Sequence, residues 1–273
     1  MNMVRKPSAA GYFYPSSPQK LREELNLLLS VSKPETRPDD IFGIVSPHAG
    51  YIYSGRTAAF AYNLIKGREY KNVIVISPSH REYFPGISVY EGDAYETPLG
   101  VIEVNIKIAD ELASGSRLIF KGIQGHREEH AVEVQLPFLQ MVLENFKIVP
   151  VVMGDQGKAY VDELASKLGK VVDKETLIVA SSDLSHYHSK QEAFELDSVV
   201  EKWISEFDYE GLRQDLEERA CEACGGGPIV AMMKAAALSN KSKSVILNRS
   251  DSGDVSGDNG EVVGYISAVI CGA

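Results

Sequence analysis

Val73-Ile74-Val75-Ile76-Ser77-Pro78-Ser79-His80 passes from an unbroken apolar run, through small polar residues, to a histidine. The same grammar recurs in Ile44-Val45-Ser46-Pro47-His48 and in Val179-Ala180-Ser181-Ser182-Asp183-Leu184-Ser185-His186. Runs of this length without polar alternation are the mark of strands covered on both faces. Further apolar runs occupy Ile41 to Val45, Ile148 to Val152, Leu177 to Ala180, Val245 to Leu247 and Val262 to Ile270. Between them lie segments with helical spacing: Pro18 to Leu29, Ser54 to Ile65, Ala131 to Leu143, Lys158 to Val172, Glu192 to Phe207 and Pro228 to Leu238. Strand and helix in alternation predict an α/β protein, with a mostly parallel or mixed sheet between helical layers.

If the three histidine-bearing strands are parallel, their carboxyl ends share one sheet edge, where open α/β folds place ligands. Half of the six histidines then converge there. Neutral imidazoles from separate strand ends suit Zn, Cu, Fe and Ni, so His48 and His80 are the first candidates for a shared metal site. A single histidine after a strand is ordinarily a loop residue bonded to backbone; the threefold recurrence is what argues for a site. Asp183 and His186 join it, Asp183 either as a ligand, as an orienter of an imidazole, or as the cap of a following helix.

Composition sets limits. The chain of 273 residues is 44% hydrophobic and 24% charged, ordinary for a globular protein. Its 28 Lys+Arg against 38 Asp+Glu leave a net charge of −10, which argues against a nucleic-acid partner. No run approaches the roughly 18 apolar residues of a spanning helix, so no membrane role is expected. Met1 to Ser8 carries Arg5 and Lys6 without the apolar run of about 7 to 15 residues that a secretory signal has. Cys221, Cys224 and Cys271 are an odd set that suits a reducing compartment, and a cytoplasmic location is expected. No linker or repeat divides the chain; the one long polar loop, Ser250 to Gly260, lies near the C-terminus. One domain, 1–273, is expected. No nucleotide-binding motif is present, so no nucleotide cofactor is expected.

Other candidates carry open alternatives. In Glu128-Glu129-His130-Ala131-Val132-Glu133, His130 and Glu133 share a helical face and can bind metal or pass protons, or form an acid-rich, solvated first turn. His126 and His188 have no supporting spacing and read as surface residues. Cys221-Glu222-Ala223-Cys224 lacks the second pair of a structural zinc site. Cys224 precedes three glycines and a helix start that favours thiolate, so it reads either as a reactive or metal-bound thiol or as a small buried hydrophobe. Tyr12-Phe13-Tyr14 could line a pocket, but reads better as a docked packing segment and is given no chemical role.

Pro47-His48-Ala49-Gly50-Tyr51, Ser77-Pro78-Ser79-His80, Tyr95-Glu96-Thr97-Pro98-Leu99-Gly100, Glu129-His130-Ala131-Val132-Glu133-Val134-Gln135-Leu136-Pro137 and Ser181-Ser182-Asp183-Leu184-Ser185-His186 resemble the Memo family. The likeness runs from Ala10-Gly11-Tyr12-Phe13-Tyr14-Pro15 to Gly264-Tyr265. That family is similar in fold to the class III extradiol, non-haem iron dioxygenases, which implies a single-domain α/β/α sandwich with its pocket at one sheet edge. The resemblance implies His48, His80 and Cys224 as ligands of one metal, Fe(II) favoured with copper or zinc as alternatives. It places His130, Asp183 and His186 around them, with Glu129, Glu133 and Tyr51 at the margin. Where those dioxygenases use two histidines and a carboxylate, a thiolate here takes the carboxylate's place, so ring cleavage does not carry over. The expected activities are a non-haem metal oxidoreductase acting on a small molecule, or a non-catalytic metal- or peptide-binding adaptor, with a zinc hydrolase third. A homo-oligomer is compatible with the sequence.

Overall fold

The structure, a computed structural model, describes residues 3–272. The domain expected over 1–273 includes Met1, Asn2 and Ala273, which lie outside the described residues. Strand β1 (Val4–Arg5) leads to helix α1 (Pro18–Val31), which starts where Ser17 accepts the Lys20 N–H and Pro18 fills the first turn. β2 (Ile41–Ser46), α2 (Tyr51–Ile65) and β3 (Asn72–Pro78) follow. Three short strands, β4 (Ile87–Tyr90), β5 (Ala94–Thr97) and β6 (Gly100–Glu103), precede α3 (Ile106–Ala113) and β7 (Ile119–Gly122). Next come α4 (His130–Glu133), α5 (Gln135–Val142), β8 (Lys147–Met153), α6 (Lys158–Val171) and β9 (Thr176–Ser181). β10 (His186–His188), α7 (Lys190–Ser205), α8 (Tyr209–Glu217) and α9 (Gly226–Leu238) lead to β11 (Lys243–Asp251), α10 (Gly253–Ser256) and β12 (Val262–Cys271).

The large sheet runs β10-β12-β2-β9-β3-β8-β4-β7, with β11 also paired to β12. Its centre, β2, β9, β3 and β8, is parallel. β12 and β4 run antiparallel against that centre, so the sheet is mixed. Alternation along the strands builds two cores. Val73, Val75, Leu177 and Val179 face α1, α2 and α5, packing with Leu21, Leu25, Ala59 and Phe138. Ile74, Ile76, Ile178 and Ala180 face the other way, against Leu112, Leu164, Val200 and Ile229 of α3, α6, α7 and α9. Both faces are therefore covered, which is why the strands read as unbroken apolar runs. A separate three-stranded sheet, β1-β5-β6, lies beside the layers.

Two expectations are corrected. The helix expected over Ala131 to Leu143 is broken into α4 and α5. Pro137 has no N–H to donate to the Glu133 carbonyl, and a new helix begins around it instead. The polar loop expected from Ser250 to Gly260 begins later. Ser250 and Asp251 continue β11 opposite Tyr265 and Gly264, and Gly253–Ser256 makes one helical turn. Ladder hydrogen bonds there outweigh the loop-like composition. Among the described residues no helix is long and apolar enough to cross a membrane.

Candidate metal centre

Parallel pairing of β2 with β9, and of β9 with β3, brings all three histidine-bearing segments to one edge. The ends are tied together: Ser182 N–H donates to the Ser46 carbonyl at 3.0 Å, and His48 N–H to Asp183 Oδ1 at 2.7 Å. Facing them is the N-terminus of α9. Gly225 packs so closely on the Ser181 carbonyl that a Cβ would overlap it, and Gly227 lies where a Cβ would meet Gln156 at 2.8 Å. The glycine run thus lets Cys224 reach the strand ends. Cys224 N–H donates to the Asp183 carbonyl at 3.2 Å, and Asp183 N–H approaches Cys224 Sγ at 3.3 Å.

Hydrogen bonds fix the tautomers. Ser181 Oγ gives its hydrogen to the Ala131 carbonyl at 2.7 Å and accepts from Gln135 Nε2 at 2.8 Å. It can therefore only accept from His48 Nδ1, 2.9 Å away, so Nδ1 carries the proton and Nε2 a lone pair. That lone pair faces Cys224 Sγ at 3.2 Å. His80 repeats the arrangement, its Nδ1 donating to Glu129 Oε1 at 2.9 Å. Glu129 also accepts the His80 N–H at 2.6 Å and the Ala131 N–H at 2.9 Å. Burial works to raise the Glu129 pKa, but these bonds and the attraction of His80 outweigh it and hold the carboxyl at about 2.

The donor atoms of His48, His80 and Cys224 lie within 4.8 Å of one another, as do those of His80, Glu129 and His130. Donors each about 2.0 to 2.3 Å from a common ion stand about 3 to 4 Å apart, so the His48–Cys224 spacing already fits one. Inward-bonded Nδ1 atoms with outward Nε2 lone pairs are the usual state of ligating histidines. Burial, then the proximity of His80, lowers the His48 pKa well below its ordinary value, and burial brings His130 down to about 4. Burial, then the nearby Asp183 carboxylate, pushes the Cys224 thiol up.

His130 stands beside the group, 4.8 Å from the His80 ring centre and 5.5 Å from that of His48, with no hydrogen bond to its Nδ1. Glu129 Oε1 lies 3.4 Å from that nitrogen, outside hydrogen-bonding geometry. Phe13 stacks on the His130 ring at 4.3 Å, so the aromatic segment packs against this group. Asp183 caps the His48 turn. His186 donates from Nδ1 to the Leu184 carbonyl at 2.8 Å and lies on the wall of a cleft that also holds Cys224.

Two margin residues are engaged elsewhere. The Tyr51 hydroxyl donates to the Val134 carbonyl at 2.6 Å. Glu133, fully buried, is neither a ligand in this group nor part of a solvated turn. It pairs with Arg5 and accepts the N–H groups of Ser8 and Ala9, each at 2.9 Å. His126 is 1% exposed, which corrects the surface reading: its Nδ1 accepts from Tyr95 O–H at 2.8 Å and its Nε2 donates to the Ser88 carbonyl at 3.1 Å. His188 is half-buried and pairs with Glu222 at 3.1 Å. Ser181 and Gln135, which set the His48 tautomer, were not singled out from sequence; Ser181 stood inside the strand-end pattern, and Gln135 only inside the Glu129 to Pro137 motif.

A family model described as Memo-like protein matches residues 5–269. A MEMO1 family protein of Thermoplasma volcanium is 40% identical over 273 residues, covering 98% of this chain and 99% of the relative. Another, from Thermotoga petrophila, is 36% identical over 280 residues, covering 98% and 100%. A solved structure of an uncharacterized protein from Escherichia coli K12 covers 74% of this chain and 86% of its own at 14% identity, with a TM-score of 0.48.

Proposed function

The chain belongs to the Memo family, and we propose that it holds one redox-active transition metal, iron first and copper next, on His48 Nε2, His80 Nε2 and Cys224 Sγ. What supports this is the lone pair of His48 Nε2 facing Cys224 Sγ at 3.2 Å, fixed by a proton committed to Ser181. Two imidazoles and a thiolate favour Fe(II), Cu(I) or Zn over harder cations. A bound metal would supply a Lewis acid and, for iron or copper, one-electron chemistry. Anaerobic purification followed by elemental analysis tests the reading. We expect near-stoichiometric iron or copper in the wild type, and a drop to background in His48→Ala. Cys224→Ser should lose copper most. A wild type with no transition metal above background overturns the proposal.

The oxidoreductase form of the reading rests on His130, whose Nδ1 has no hydrogen-bond partner beside the two imidazoles, and on His186, which lines the cleft that also holds Cys224. It requires iron-dependent oxygen consumption that His48→Ala abolishes. A second reading, a metal-holding adaptor without turnover, is favoured by the soft sulfur in place of a carboxylate. Tight metal binding with no oxygen uptake selects it. We place the protein in the cytoplasm, as one domain.

A further inference from the structure

A cleft of about 650 Å3 opens beside Cys224, between the start of α9 and the end of α8. Pockets of about 300 to 1,000 Å3 are the size that takes small molecules. Val161, Leu184, Leu216 and Val230 give it apolar walls, and Cys224 and His186 line it too. The helix N-terminus is closed to an anion, because Gly227 N–H already donates to Gln156 Oε1 at 2.7 Å and Gly225 N–H to Ser182 Oγ at 2.9 Å.

The charges on the wall are not balanced. Arg213 is matched by Glu210 at 3.0 Å and Glu217 at 2.6 Å, and Glu222 by His188 at 3.1 Å. Of the charged residues on this wall, the exposed Arg219 alone has neither an ion pair nor a side-chain hydrogen bond. Its backbone is fixed at a φ of 59° after α8, where Ala220 N–H donates to the Asp215 carbonyl at 2.8 Å. A guanidinium at the mouth of an apolar cleft matches one carboxylate. Glu217 and Glu222 on the same wall oppose a second negative charge.

We propose that this cleft binds an apolar molecule bearing a single carboxylate, held by Arg219, with its far end beside Cys224 and His186. The inference rests on the proposed metal centre only in giving that far end something to meet. Lining by apolar side chains excludes water from the ligand's body, and Arg219 sets its direction.

An uncharged solvatochromic dye, Nile red, provides the probe, displaced by decanoate or by decanamide, which has the same length but no charge. In the wild type, decanoate should displace the dye at a concentration at least tenfold lower than decanamide. Arg219→Gln should bring that ratio close to one, and Arg219→Lys should keep most of it. An arginine near a helix C-terminus also steadies the helix, so melting temperatures are taken on both variants. That structural role alone would leave the carboxylate preference untouched. Failure of the dye to bind, equal displacement by the two ligands in the wild type, or a preference that survives Arg219→Gln would overturn the proposal. Metal content is measured on the same samples. Carboxylate preference without metal would sink the metal centre and leave the cleft; metal without preference would do the reverse.

Discussion

His48 and His126 are each 1% exposed, and burial depresses both, yet one sits in a site and the other in a scaffold. His126 has both ring nitrogens satisfied, by Tyr95 and by the Ser88 carbonyl, and its own carbonyl accepts from Arg5 Nε at 3.1 Å. His48 has one nitrogen anchored and the other aimed at a sulfur. Burial therefore does not distinguish a working histidine from a structural one. What separates them is an unspent lone pair, held in a fixed direction beside other donors. The region of His126 is closed, and the region of His48 is built to be completed.

The largest expected effect comes from opening the closed region. Arg5 reaches Glu133, the Glu129 carbonyl and the His126 carbonyl, binding the N-terminal segment to α4. Glu133→Ala would leave that guanidinium buried without its carboxylate, and a loss of about 3 to 5 kcal/mol is expected, read by urea unfolding. Metal bound per folded molecule should stay near the wild-type value. If it falls in step with stability, the two regions are one unit and the contrast fails.

Disturbing the open region should do the opposite. Ser181→Ala removes the acceptor that holds the His48 tautomer, and loss of such an outer partner costs about 10- to 100-fold in metal affinity. Competition with a chromogenic chelator reads this. An unchanged affinity would mean that Ser181 does not orient the ring.

The open region was the more legible of the two in the sequence. A strand buried on both faces must be apolar throughout, and a parallel strand must deliver its last residues to the ligand edge, so His48, His80 and Asp183 announced themselves locally. The sheet's outer strands did not, since β4 and β7 are four residues each and carry Ser88 and Lys121. α8, the wall of the cleft, was also missed; it buries only Leu212 and so shows little periodicity. The closed region was illegible for a different reason. Glu133 looks like a solvated acid until Arg5, 128 residues away, is placed on it. His126 looks like a loop residue until β4 and β5 bring Ser88 and Tyr95 against it, 38 and 31 residues off. Partners that distant leave no spacing to read.

The smallest effect is a pH dependence that isolates His126. Burial, against a bond to Ser88 that works to raise it, lowers its pKa from the ordinary 6.5 to about 3. Between those values the unfolded chain binds a proton that the folded chain refuses, so stability falls as the pH drops below 6.5 and stops falling near 3. At about 1.4 kcal/mol per pH unit, moving from pH 7 to 5.5 should cost about 1 kcal/mol through this residue alone. His48 and His130 are lowered too and add their own shares, so the measurement is a difference. His126→Gln keeps one donor and one acceptor but cannot be protonated. Its unfolding free energy should therefore be flatter than the wild type's between pH 7 and 5.5 by about 1 kcal/mol. Parallel curves would show that His126 opens to solvent and is not the closed counterpart of His48.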